Sequence, residues 1–339
     1  MTGYRVRTAL MAVGLAALVS LANVSGVSAA TASKAPGAGN GLRVSPVRSD
    51  ITINPGKSQV INITVNNITS QDAYFQVVAN DFTASADETG NPAIVFDTSK
   101  PVTAHSLKQF AQPVQPFLLH SGEQKSIAVT FKVPANAVAG GYYGVIRFAP
   151  ANPDGSTNKN LSLAGSVGSL VLLKVPGNIK EQLSIASFDI RDSQNRTSSF
   201  FTTNKNLNIV ARFQNLGDIQ DQPFGKVIIK NHSGQTLGSY EINNSDTPAN
   251  VLPDSIRRFT IPIKGIGSFG QYKVEGNFGY GNGGQLLSAS TTFYVIPVLL
   301  IVLFVGIVAV LVFLIFGLPR VIAAYNRRVV DQSRHGRRY

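Results

Sequence analysis

An unbroken apolar run from Val295 to Leu318 constrains this chain more than any other feature. Its 24 residues, wound as a helix, rise roughly 36 Å, enough to cross a hydrocarbon layer of about 30 Å. Behind it, Arg320, Arg327, Arg328, Arg334, Arg337 and Arg338 face the single acid Asp331. Basic flanks stay on the cytoplasmic side, so the sequence predicts a single-pass membrane anchor at 295–318, a basic cytoplasmic tail at 319–339, and everything earlier outside. The beginning agrees: Arg5 and Arg7 precede an apolar stretch from Ala9 to about Ala22, and Val27-Ser28-Ala29 reads as a cleavage site. Residues 1–29 are thus expected to be a signal peptide, and 30–41, small and Gly/Pro-containing, a flexible leader.

The formal charge of +12 is mostly topology. Of 30 basic and 18 acidic residues, two arginines lie in the signal region, and six with one aspartate in the tail; 22 basic and 17 acidic remain in residues 30–294, a net +5. So mild an excess argues against nucleic acid as partner and is compatible with anionic wall polymers or lipid headgroups. The chain has no cysteine, so the exported part must be held by apolar cores, and thiolate metal sites and thiol nucleophiles are excluded.

Between Leu42 and Phe293 the pattern has period two. Ile61, Ile63 and Val65 alternate with Asn62 and Thr64, and Ile127, Val129, Phe131 and Val133 do likewise, as strands with one buried face do. Asn54-Pro55-Gly56, Glu88-Thr89-Gly90-Asn91 and Ser121-Gly122 mark turns between them. The pattern then repeats. Val133, Tyr142 and Phe148 have the spacing of Ile263, Tyr272 and Phe278, and Ile61, Val65 and Asn67 that of Ile209, Phe213 and Asn215, with extra length in the first copy placed between Val95 and Phe117. The prediction is an all-β ectodomain of two tandem immunoglobulin-like β-sandwiches, residues 42–176 and 177–293, followed by one transmembrane α-helix. Tyr142 and Tyr272 each open a late strand, where such sandwiches use a tyrosine to tie the strand to a neighbouring loop. Pro150 to Asn160 reads as a long hairpin loop.

Chemistry is sparse. His105, His120, His232 and His335 have no metal-site spacing, no nucleophile elbow occurs, and no acid is placed to complete a triad. Asp81, Asp87, Glu88 and Asp97 lack calcium-loop spacing and read as a solvated hairpin. Gly279 to Gly284 lies between strand patterns and reads as a tight turn rather than a phosphate loop. The sequence predicts no enzyme, no catalytic residue, no cofactor and no metal.

The first module resembles the peptidoglycan-binding domain of WxL-interacting proteins, a family of bacterial cell-surface proteins. The matching residues are Val44-Ser45-Pro46, the Asn54-Pro55-Gly56 turn with Val60 to Asn67, Ser121-Gly122, and Val133-Pro134 leading to Gly141-Tyr142-Tyr143-Gly144-Val145-Ile146. The resemblance implies an envelope protein whose first sandwich contacts peptidoglycan and whose second faces a protein partner. The chain has no tryptophan and so is not itself a WxL-bearing protein. The same stretch, with Pro46-Val47-Arg48, is also similar to the first sandwich of periplasmic pilus chaperones, which implies the alternative of an assembly factor acting by strand complementation. The expectation is a membrane-anchored binding or scaffold protein whose partners are cell-wall polymer, a secreted surface protein, or both. Basic and aromatic residues of the first module, Arg48, Tyr74, Lys100, Lys108, Tyr142, Tyr143 and Arg147, are the candidate ligand surface.

Overall fold

The computed structural model describes residues 41–97, 103–152 and 166–335, with only the backbone for 328–335. The opening strand is split at Pro46, whose bond to Ser45 is cis. Proline has no N–H to give to a ladder, and the chain changes sheets there. β1 (Leu42–Ser45) pairs antiparallel with β3 (Ser58–Asn67), whereas β2 (Arg48–Thr52) crosses over to run parallel with β9 (Val167–Val175). β7 (Gln124–Lys132) completes the sheet β1-β3-β7. The opposing sheet is β2-β9-β8-β4-β5, from β4 (Ala73–Ala84), β5 (Pro92–Ile94) and β8 (Gly140–Ala151), with β6 (Phe117–Leu119) also on β4. Between the sheets lie Ile63, Val65, Phe131, Ile146, Phe148 and Leu173, all but unexposed.

The second sandwich repeats this order. β10 (Leu183–Arg191), β12 (Asn208–Asn215) and β15 (Ile256–Pro262) form one sheet. The other is β11-β17-β16-β13-β14, from β11 (Phe200–Phe201), β13 (Phe224–Asn231), β14 (Thr236–Ile242), β16 (Gly270–Tyr280) and β17 (Gln285–Val295). β11 runs parallel to β17 as β2 does to β9. Two immunoglobulin-like sandwiches in tandem are therefore the fold, each with its own core. In the second, Phe213, Phe259 and Phe278 meet edge to face.

The repeat extends to polar detail. Asn67 and Asn215 end β3 and β12 with no exposure. The Asn67 amide donates to the carbonyls of Gln71 and Leu119, that of Asn215 to those of Ile219 and Val251. Each side-chain oxygen accepts the N–H two residues on. Tyr142 and Tyr272 are likewise equivalent, their hydroxyls donating to Val138 O, and to Gly267 O and Phe269 O.

After Ile296 and Pro297 a helix begins. It comprises α1 (Val298–Val312), a π-helical turn (Phe313–Gly317) and α2 (Leu318–His335). Val295, expected to open the apolar run, instead closes β17, because pairing with Gly270 and Phe201 buries it. The span Val298–Arg327 is the one helix among the described residues long and apolar enough to cross a membrane. None of it is buried by protein, so it is no core helix; its apolar side chains need another apolar cover.

Candidate functional site

The two sandwiches are bonded to each other at several points. The β4–β5 turn, which the sequence presents as a solvated acidic hairpin, reaches β12 and β15 of the second sandwich. Glu88 makes a two-pronged ion pair with Arg212, and Glu88 O accepts the Arg258 N–H at 2.8 Å. Gly90, with φ +81°, packs so closely that a side chain there would collide with the Arg257 guanidinium. Arg212 holds the Glu88 carboxyl below the usual range. Asp87 caps its own turn through Thr89, and Asp81 is buried, accepting from Ser106 Oγ at 2.7 Å and Lys108 N–H at 3.0 Å. Asp81, Asp87 and Glu88 are thus each engaged separately, and no group of three or more metal-binding side chains occurs among the described residues.

A second link joins Tyr143 to the β12–β13 segment. The hydroxyl donates to Gln220 Oε1 at 2.6 Å and accepts the Gln220 N–H at 2.8 Å, while Gly141 N–H donates to Asp218 O. Burial raises the Tyr143 phenol well above its ordinary value. Beside this link lies a cleft of about 480 Å³. Arg48, Asp50 and Lys174 line it from the first sandwich, and Glu181, Asp221 and Phe224 from the second. Asp221 is 5% exposed, and its Oδ2 has no hydrogen-bond partner among the described residues. Burial, with Glu181 adding to it, pushes its carboxyl up to about 6.

An open edge beside an apolar hollow lies at the outer strand of the second sandwich. β14 pairs with β13 on one side and with no described strand on the other. Next to its end is a hollow of about 510 Å³ whose floor is the outer face of β13, β16 and β17. Strand register lines up Phe224, Gly279 and Leu286 across that face. With no side chain on Gly279, the Phe224 ring lies flat over the sheet; a Cβ there would sit 2.7 Å from it. Phe224 is 58% and Leu286 81% exposed, and covering a side chain of this size contributes about 1.5–3 kcal/mol. Phe224 also lines the cleft, so hollow and cleft are one continuous surface.

No protein-family model matches the chain, and no curated protein matches it. Among solved structures, a class 5 fimbriae chaperone, CfaA, is 14% identical and aligns over 76% of this chain and 99% of its own, with a TM-score of 0.35. The chaperone YadV is 10% identical over 74% of this chain and 99% of its own, TM-score 0.32. The E. coli chaperone DraB is 14% identical over 75% and 96%, TM-score 0.29. At these values no residue role or partner passes from them to this chain.

The residues singled out from sequence do not converge. Arg48 stands at the cleft mouth but is paired with Asp50 at 2.8 Å. Tyr74 is half-buried on β4, paired with Ala151 and Leu118. Lys108 lies 3.7 Å from Asp81. Tyr142 is in the core and Tyr143 in the interdomain link. Arg147 is buried, bonded to Asn80 and Ser166 and lying over the Phe96 ring, and burial lowers its pKa. Lys100 lies outside the described residues, as does most of the expected 150–160 hairpin loop. Phe224, followed by Gly225, and Leu286, which only strand pairing brings opposite Gly279, are not marked by the sequence pattern. Asp221 carries no sequence signal.

Proposed function

We propose that this chain is a non-enzymatic, membrane-anchored extracytoplasmic protein that holds a protein partner as an extended segment on the open edge of β14. The apolar hollow at Phe224 and Leu286 receives the partner's side chains. The observation that carries this reading is the pairing of an unmatched strand edge with an apolar pocket alongside, since main-chain hydrogen bonds supply affinity and the pocket supplies selection. The helix 298–327 spans the membrane, and the basic residues after it keep that end cytoplasmic. A protein partner is common to both family resemblances, and the assembly-factor alternative now accounts for more of the geometry than peptidoglycan contact. Of the residues meant for a wall polymer, Arg48 and Lys108 are taken up by ion pairs, Tyr142 by the core and Tyr143 by the interdomain link.

The test uses residues 41–297, which keep the whole of β17, immobilised and exposed separately to the cell's secreted proteins and to purified cell wall. A protein is expected to be retained, and Phe224→Ser with Leu286→Asp to release it. Retention of wall that is indifferent to both substitutions, with no protein held, overturns the proposal.

A further inference from the structure

The helix leaves the second sandwich from the end at which β17 closes. β17 closes at Tyr294 and Val295, held by β11 and by the start of β16, and only Ile296 and Pro297 separate it from α1. Ile296 is itself pinned, its N–H donating to Phe201 O at 2.8 Å. There is thus no stalk: if the helix enters a bilayer at Val298, this end of the sandwich stands at the bilayer surface. Two large aromatics are uncovered there. Phe200 is 64% exposed, its ring stacked on Tyr294 at 5.0 Å and 13°, and Phe269, 63% exposed, directly precedes the Gly270 that pairs with Val295. Lys205 and Lys264 are exposed in loops at the same end and have no ion pair among the described residues, while Asp192 there is already paired with Arg196.

We propose that this end of the second sandwich is a membrane-seating surface: Phe200 and Phe269, with Tyr294 behind Phe200, enter the headgroup–acyl boundary of the bilayer that the chain's own helix spans. Aromatic rings concentrate at that depth because an apolar ring is covered there while its polar neighbours stay hydrated. Lys205 and Lys264 then face lipid phosphates. Two seated side chains and a two-residue connection hold the sandwich at one height and one tilt over the membrane, where a single helix alone would leave it free to swivel.

The inference rests on the helix being a membrane span, and the experiment separates the two. Because the chain has no tryptophan, each variant carries one emitter. Phe200→Trp, Phe269→Trp, Phe224→Trp and Phe304→Trp are made in the full chain and placed in phosphatidylcholine–phosphatidylglycerol nanodiscs containing brominated lipid. Phe304 lies within α1, and Phe224 at the end of the sandwich away from it. The expected result is strong quenching at 304, clear quenching at 200 and 269 by bromine near the headgroup, and none at 224. Quenching at 304 alone overturns the seating and keeps the span; no quenching at 304 overturns both. Hydrogen exchange on the unsubstituted chain gives an independent reading: residues 198–203 and 264–271 are expected to exchange more slowly in nanodiscs than in detergent-free amphipol. Equal rates in the two overturn the seating.

Discussion

The two sandwiches share one strand order but protect their edges differently. In the first, residues between β5 and β6 fold back over the molecule. Phe110 O accepts the Lys132 N–H and Gln112 N–H donates to Thr130 O, so this insert closes the edge of β7, while Leu107 and Phe110 plug the core. Gly144 makes room for the plug, since a Cβ there would lie 2.8 Å from Leu107. The second sandwich has no insert. Its equivalent edge, β15, is instead touched by the first sandwich through Glu88, and β14 is left open. An unpaired edge invites another strand, so a partner can add at β14 but not at β7, which the insert already covers.

The sharpest way to break this comparison is to pull the plug. Leu107→Ala is expected to cost about 2–5 kcal/mol in urea unfolding of the two-sandwich region, with the loss confined to the first sandwich. A loss below about 1 kcal/mol would mean that the insert only drapes the surface.

The next test sharpens the likeness instead. Asn67→Ala and Asn215→Ala each remove a fully buried amide with its two hydrogen bonds to main-chain carbonyls, and each is expected to cost about 1–3 kcal/mol. A cost at one site alone would mean that the two corners are not equivalent.

The junction carries two effects with opposite pH slopes, the Glu88 one being the smallest of all. The folded pKa of Glu88 lies below its ordinary 4.5, so its contribution is present above that pH and lost as pH falls through the lowered folded value. Asp221, ordinarily 3.8 and here about 6, is the reverse: the fold prefers it protonated and loses stability as pH rises through about 6. Asp221→Asn should therefore raise stability by about 1–3 kcal/mol above neutral pH and flatten that slope. Glu88→Gln should lower it by about 0.5–1 kcal/mol near neutral pH and leave the Asp221 slope intact. Midpoints of urea unfolding across pH 4–8 would show both.

Much of the fold was legible in the chain. Alternation marked β3 and β7 because each has one face in the core and one in water, and the Asn54-Pro55-Gly56 turn was readable because Gly56 takes φ +76°. The repeat was visible because equivalent corners need the same residue, as at Asn67 and Asn215. The site was much less legible. β8 is buried on both faces from Gly140 to Ala149, so its aromatics and arginine look like surface candidates in sequence yet are enclosed by the core on one side and by the insert and second sandwich on the other. Period two records that a strand exists; it does not say what covers its second face.

By itself, then, the sequence determined the class of structure: alternating strands, two copies of one order, and an apolar helix flanked by arginine. These are local properties, set by side-chain periodicity and length. Tertiary structure alone decided that Glu88 binds Arg212 across 124 positions, that Tyr143 is an interdomain latch, that Asp221 is buried without a partner for Oδ2 among the described residues, and that β14 keeps an unpaired edge beside an apolar hollow. Each depends on which distant segments meet, and strand pairing between remote segments is set by the packing of the whole chain rather than by any window of it.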